Sequence, residues 1–202
     1  GEVLSKLHIH AAVRIDGDKQ TLAWSDDTRL SALALPASSR AKLTEPKTRN
    51  IGQARFSDLT RVNDKPVFLV AVGNSKQALT VFVLGTEYLV QLQKSIAFGE
   101  RGHSMIVDAL GRVIAHPNTD WQRTSKNASK LSVVQKMMRG ETGVSQFFSP
   151  PMKADMIAGH TAVPGVGWGV MVPQPVAEFH DRASDVQLLA VTIALAGLAC
   201  AG

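Results

Sequence analysis

The sequence predicts an α+β protein: two tandem modules built on antiparallel sheets, followed by the start of a transmembrane helix. Three observations lead there. Short alternating or wholly apolar runs are separated by glycine, proline and acidic turns, the mark of antiparallel strands. The plan of the first half recurs in the second, with Ile15-Asp16-Gly17 set against Val107-Asp108 and Gly111 about 90 residues later. Finally, every charged residue lies at or before Asp185, and residues 186–202 carry none. At about 150 residues per domain, a chain of 202 residues holds one large domain or two small ones.

The elements follow in order. Residues 7–15 place apolar side chains at every odd position, the period of a strand with one buried face. Asp16-Gly17 supplies a hairpin turn, and Gln20 to Ser25 returns. Proline, serine and basic residues fill 36–50, a connecting or pocket-covering loop. A strand is expected over 53–59, then apolar runs at Val67 to Val72 and Leu79 to Leu84, joined by Gly73-Asn74-Ser75. Tyr88, Leu92 and Ile96 share a helical face over 87–97, with Gly99 as the stop.

The second half repeats the plan. A strand over 103–107 turns at Asp108-Ala109-Leu110-Gly111, and Arg112 to Ala115 returns before His116-Pro117. Proline holds the residue before it extended and lacks a ladder donor, so His116-Pro117 ends that strand. Leu131, Val134 and Met138 mark a helix begun by Ser129 and ended by Gly140. Strands at about 144–148, 156–163 and 167–172 complete the module. From Pro175 a helix with Val176, Phe179, Ala183 and Val186 on one face runs into the uncharged tail.

A bilayer-spanning helix takes about 20 apolar residues, and the tail stops just short of that. With neither an initiator Met nor a signal-like segment at Gly1, the chain is expected to be a piece of a longer membrane protein.

Composition excludes several classes. A hydrophobic content of 45% and a net charge of +5 exclude disorder, and a single cysteine, Cys200, excludes a disulfide scaffold. The basic residues are dispersed from Lys6 to Arg182, so no nucleic-acid partner is expected; a basic rim attracting a small anion is the functional reading. Gly165, Gly167 and Gly169 miss the dinucleotide-loop spacing and precede a strand rather than a helix, which leaves a tight turn beside a packed Trp168. No nucleophile elbow exists. No pair among His103, His116 and His160 has the short helical spacing of a metal motif, so neither metal nor cofactor is expected. A membrane-tethered hydrolase using those three histidines and a purely structural or protein-interaction ectodomain are the rivals.

The hairpin around Ile106-Val107-Asp108, Gly111 and Val113-Ile114-Ala115-His116-Pro117, the turn Gly140-Glu141-Thr142-Gly143, and the run from Pro164-Gly165 through Trp168-Gly169 to Pro173-Gln174-Pro175 resemble the membrane-proximal module of the double Cache family. These are extracytoplasmic sensor domains of bacterial chemoreceptors, histidine kinases and diguanylate cyclases, built from two PAS-like modules. The resemblance covers residues 98–185 well and residues 1–97 more loosely, through Ile15-Asp16-Gly17 and Lys65 to Val72.

It implies a distal module at 1–97, a proximal module at 98–175, and a signalling helix entering the membrane over 176–202. It also implies no catalytic activity, small-molecule binding outside the bacterial inner membrane, usually in the distal module, and a homodimer in the whole receptor. The Tyr, Arg, Trp-Tyr signature of the amino-acid-binding branch is missing, since Tyr88 is the one tyrosine. Arg49 and Arg61 instead favour an organic acid or another anion. Trp24, Arg49, Asp58 and Arg61 are the expected ligand contacts, an apolar wall with a few charged groups being what such a site needs.

Overall fold

The computed structural model describes residues 8–17, 19–25, 35, 39, 43, 53–62, 64–73, 78–96 and 102–178. Eleven strands and three helices are assigned among them. The first sheet holds β1 (Ile9–Asp16), β2 (Lys19–Ser25), β3 (Ala54–Phe56), β4 (Thr60–Val62), β5 (Lys65–Gly73) and β6 (Ala78–Gly85). Helix α1 (Glu87–Ser95) follows. The second sheet holds β7 (Met105–Val107), β8 (Val113–Ala115), β9 (Gly143–Ser149), β10 (Ala154–Val163) and β11 (Trp168–Pro175), with α2 (Thr119–Arg123) and α3 (Ser132–Met138) between β8 and β9.

Both sheets are antiparallel and share one strand order. The first reads β2-β1-β6-β5-β3, with β4 also on β5, and the second reads β8-β7-β11-β10-β9. In each, the opening hairpin lies beside the last strand, so the repeat read in the sequence is a repeat of topology. Asp16-Gly17 closes the first hairpin with Asp16 opposite Lys19, and Gly17 takes a φ of +57°, the region a turn glycine adopts without a Cβ clash.

Alternation sets where each sheet buries its apolar groups. On one face of the first sheet Ala11, Val13, Val67, Leu69, Val81 and Val83 pack with Leu35 and Leu43 from the long connection. The second sheet buries Met105, Val107, Met156, Ala158 and Met171 under α3, through Val133, Val134 and Met137. A third core joins the two sheets: Leu59 and Phe68 from the first meet Ile106, Ile114 and Ala115 from the second, with α1 adding Leu89 and Val90. Trp168, at the turn where a packed indole was expected, lies 4.4 Å from the Phe68 ring and 5.9 Å from Phe56. Its chemistry is therefore that of an intermodule contact.

Three local expectations change. The strand expected over 53–59 splits into β3 and β4, because Ser57 interrupts the ladder. Its N–H donates to the Leu69 carbonyl at 2.8 Å, while its Oγ accepts from the Leu69 N–H at 2.9 Å. Helix α3 starts at Ser132 with Leu131 as N-cap, and Ser129 instead sits in a turn where its N–H donates to Asn127 Oδ1. Helix α2 was not foreseen; the Asn118 side chain caps it by accepting from the N–H groups of Asp120 and Trp121. Residues 176–178 are helical, and the expected membrane segment at 186–202 lies outside the described residues. Among the described residues no helix is long and apolar enough to cross a membrane.

Candidate ligand site in the second module

Three devices shape a cavity in the second module. The β7–β8 hairpin is fixed by Asp108, whose buried Oδ1 accepts from the N–H groups of Leu110 at 3.0 Å and Arg112 at 2.8 Å. Its Oδ2 accepts from Arg112 Nε at 2.8 Å and pairs with the guanidinium at 2.6 Å. The turn expected at Asp108 is thus also held by a buried ion pair. Where β8 ends, His116-Pro117 turns the chain out, and the Asn118 cap starts α2 at once, which brings Trp121 back over His116. The segment 126–131 then covers one side and the turn after β9 the other.

The cavity has a volume of about 690 Å³. Its floor is the helix-bearing face of the second sheet, with Met105, Phe147, Met156, Met171 and Pro173; Trp121, Leu131, Pro151 and Met152 close over it. His103, His116, Lys126 and Lys130 supply the ionisable groups, and among the described residues no acidic side chain lines the cavity.

The His103 and His116 rings meet edge to face at 4.9 Å, and His116 stacks on Trp121 at 4.4 Å. Lys126 Nζ lies 3.9 Å from the centroid of the Trp121 ring, a cation–π contact. His116 Nδ1 accepts from the Asn118 N–H at 2.9 Å, and Gln122 Nε2 donates to the His116 carbonyl. Burial first, then the nearby His103 and Lys126, push His116 down from 6.5 to about 4. At neutral pH it is an uncharged imidazole accepting at Nδ1, which leaves Nε2 as its N–H.

Of the residues expected to bind a ligand, Trp24 is half-buried on β2, opposite Ala12 on β1. Asp58 is half-buried between β3 and β4. Arg61 is on β4, where Nε and Nη2 donate to the Asp64 carboxylate at 3.3 and 2.9 Å and Nη1 donates to the Arg123 carbonyl at 2.8 Å. Arg49 lies outside the described residues. Trp24 and Arg61 stand at opposite edges of the first sheet, separated by β1, β6 and β5, so the structure does not bring these two together. Arg61 instead reaches across to the end of α2, the helix that carries Trp121.

The three histidines also separate. His103 and His116 share the cavity, whereas His160 Nε2 is 2.9 Å from Ser145 Oγ, which in turn accepts from Lys136 Nζ. Sequence reasoning missed the cavity residues because Met105, Phe147, Met156 and Met171 read as ordinary core. One signal was available: from Trp121 to Gly140 the chain carries Arg123, Lys126, Lys130, Lys136 and Arg139 and no acid.

Neither a family model nor a curated protein sequence matches this chain. Solved structures do. The extracellular domain of mmHK1S-Z3, named as a histidine kinase, superposes with a TM-score of 0.68 at 13% identity, covering 91% of this chain and 79% of that one. The corresponding domain of rpHK1S-Z16 gives 0.65 at 16% identity, covering 86% and 74%. The ligand-binding domain of the amino-acid chemoreceptor PctB of Pseudomonas aeruginosa PAO1, in complex with L-Gln, gives 0.59 at 17% identity, covering 95% and 79%. The chain has the double Cache fold. The two sheets of this chain share one strand order, and the cavity lies on the second of them.

Proposed function

We propose that this chain is the small-molecule-sensing region of a bacterial transmembrane receptor, placed outside the cytoplasmic membrane, and that the ligand occupies the second-module cavity. The observation that supports it is the cavity itself. At about 690 Å³ it falls within the roughly 300–1,000 Å³ of small-molecule sites, and it has their composition: apolar walls with a few polar groups. The fold is that of domains named as ligand-binding regions of chemoreceptors and extracellular regions of histidine kinases.

A sensor also needs a route out of the site. Trp121 lies on α2, whose last carbonyl is held by Arg61 of the first sheet, and β11 runs from the Trp168 contact past Met171 toward residues 176–178. A ligand that binds one arrangement of the two sheets better than another shifts the balance between them. In the whole receptor, expected to be a homodimer, the helix after β11 would carry that shift to a kinase, a cyclase or a chemoreceptor signalling domain.

The test is a thermal-shift screen with organic acids, amino acids, amines and purines, since a ligand bound only by the folded state raises the melting temperature. At least one class raises it. The Met156→Trp variant, whose indole fills the cavity floor, abolishes the shift, while Arg61→Ala leaves it in place. The reverse pattern would move the site to the first module, on the Arg61 side of its sheet. Failure of every class would leave a structural or protein-interaction ectodomain.

A further inference from the structure

Resting on the sensor reading, we infer that the second-module cavity takes a carboxylate with an apolar ring or chain and no ammonium group, the carboxylate lying toward Lys126 and Lys130. The inference comes from which polar atoms of the lining remain to be satisfied.

Asn118 Oδ1 already accepts from the N–H groups of Asp120 and Trp121, and Asn127 Oδ1 from the N–H of Ser129. His116 Nδ1 accepts from the Asn118 N–H. The Asn118 and His116 acceptors are spent on the turns that shape the site, and Asn127 Oδ1 is already engaged in one of them. What they leave is donors: the two asparagine NH₂ groups and the His116 Nε2–H, beside the two lysine ammonium groups. Among the described residues no aspartate or glutamate lines the cavity.

Such a wall complements a ligand rich in acceptors and carrying negative charge, because charge-assisted hydrogen bonds to a carboxylate are the strong ones. It gives a ligand ammonium no acidic partner, and burying an unpaired charge is costly. An α-amino acid, the ligand class named for PctB, therefore fits this lining poorly. The lowered basicity of His116 agrees, since its causes include the positive charge of Lys126.

The opposite wall sets the body of the ligand. Met105, Met156, Met171 and Phe147 present thioether and aromatic surface, and methionine side chains adapt to rings and chains of varied shape. The volume leaves room for a phenyl ring on a short chain or a medium-length alkyl chain. A compact diacid would leave that wall dry and unfilled.

Isothermal titration calorimetry of the protein at pH 7 tests this with hexanoate, octanoate and 3-phenylpropanoate. L-phenylalanine, which adds only an ammonium to 3-phenylpropanoate, and 2-phenylethylamine serve as charge controls. At least one of the three carboxylates binds, L-phenylalanine binds about tenfold more weakly than 3-phenylpropanoate or not at all, and the amine gives no binding heat. Replacing both exposed lysines (Lys126→Gln with Lys130→Gln) weakens the carboxylate about tenfold or more, with unchanged circular dichroism.

Equal or tighter binding of L-phenylalanine or the amine overturns the inference, as does unchanged carboxylate affinity in the double variant. If none of the three carboxylates binds while another class raises the melting temperature, the carboxylate assignment falls and the sensor reading stands. If no class binds, both fall.

Discussion

Removing the Asp108 carboxylate tests how the site is held in shape. Asp108 is fully buried and accepts from two backbone N–H groups and from Arg112, whose side chain is 29% exposed. In Asp108→Ala all of these acceptors vanish, and the Leu110 and Arg112 N–H groups and the guanidinium lose their partner together. Breaking a buried pair by removing one partner costs about 3–5 kcal/mol, and each buried unsatisfied donor about 1–3. Partial exposure of Arg112 lets water recover some of this, so a loss of about 4 kcal/mol is expected. Asp108→Asn keeps Oδ1 and both backbone bonds but turns an NH₂ toward the guanidinium, so about 2 kcal/mol is expected. Urea unfolding measures both, and at about 2–4 °C per kcal/mol for a chain of this size the alanine variant melts roughly 8–16 °C lower. Because the hairpin leads into both Met105 and His116, the alanine variant also loses ligand response before it loses the fold. A loss below about 1 kcal/mol in Asp108→Ala, or asparagine costing more than alanine, would refute the reasoning.

Three further outcomes follow from the same structure. Phe68, 2% exposed and packed on Trp168, joins the two sheets, so Phe68→Ala destabilises by about 3–5 kcal/mol in urea unfolding and loosens the contact between modules. A Cβ at Gly169 would meet Met137 Cβ at 2.8 Å and Val107 Cγ2 at 3.0 Å, so Gly169→Ala overpacks the contact between α3 and the sheet and costs about 1–3 kcal/mol. His116 has a folded value of about 4, below the 6.5 of the unfolded chain, so the unfolded state binds more protons between those values. Its contribution is complete above pH 6.5 and is lost as pH falls through 4. With burial the main cause that holds it neutral, His103 and Lys126 adding to it, and with partial exposure to water, the loss is about 1–2 kcal/mol, read as a fall in the urea midpoint between pH 7 and pH 4.5 that His116→Asn removes.

The strand framework was legible because its signals are local. The odd-numbered apolar positions of 7–15, the Asp16-Gly17 turn, the Asp108 turn and the His116-Pro117 break each state a boundary within a few residues. Helix α2 was equally local, since Asn118 followed by Asp120 is a cap with an acid in the first turn, yet it lay hidden behind a proline read only as a strand end. The division into β3 and β4 depends on Ser57 bonding with Leu69 twelve residues away, which no local pattern carries.

The cavity was less legible still. Its lining spans His103 to Pro173 and draws on α2, the segment 126–131 and the sheet, so nothing in the sequence separates Met156 or Met171 as a cavity wall from Met137 as packed core. Arg61 shows the converse. Its charge was readable, but that it reaches Arg123, 62 residues on, depends on how the two sheets meet.

Methionine methyl NMR tests ligand entry into the second-module cavity most directly. Met105, Met152, Met156 and Met171 line the cavity, whereas Met137 faces the sheet from α3 and Met138 is exposed on the same helix. Titration with 3-phenylpropanoate is predicted to shift the four lining methyl resonances saturably while those of Met137 and Met138 hold still. Motionless lining methyls alongside a saturable shift of the Trp24 indole N–H would contradict it and place the ligand in the first module.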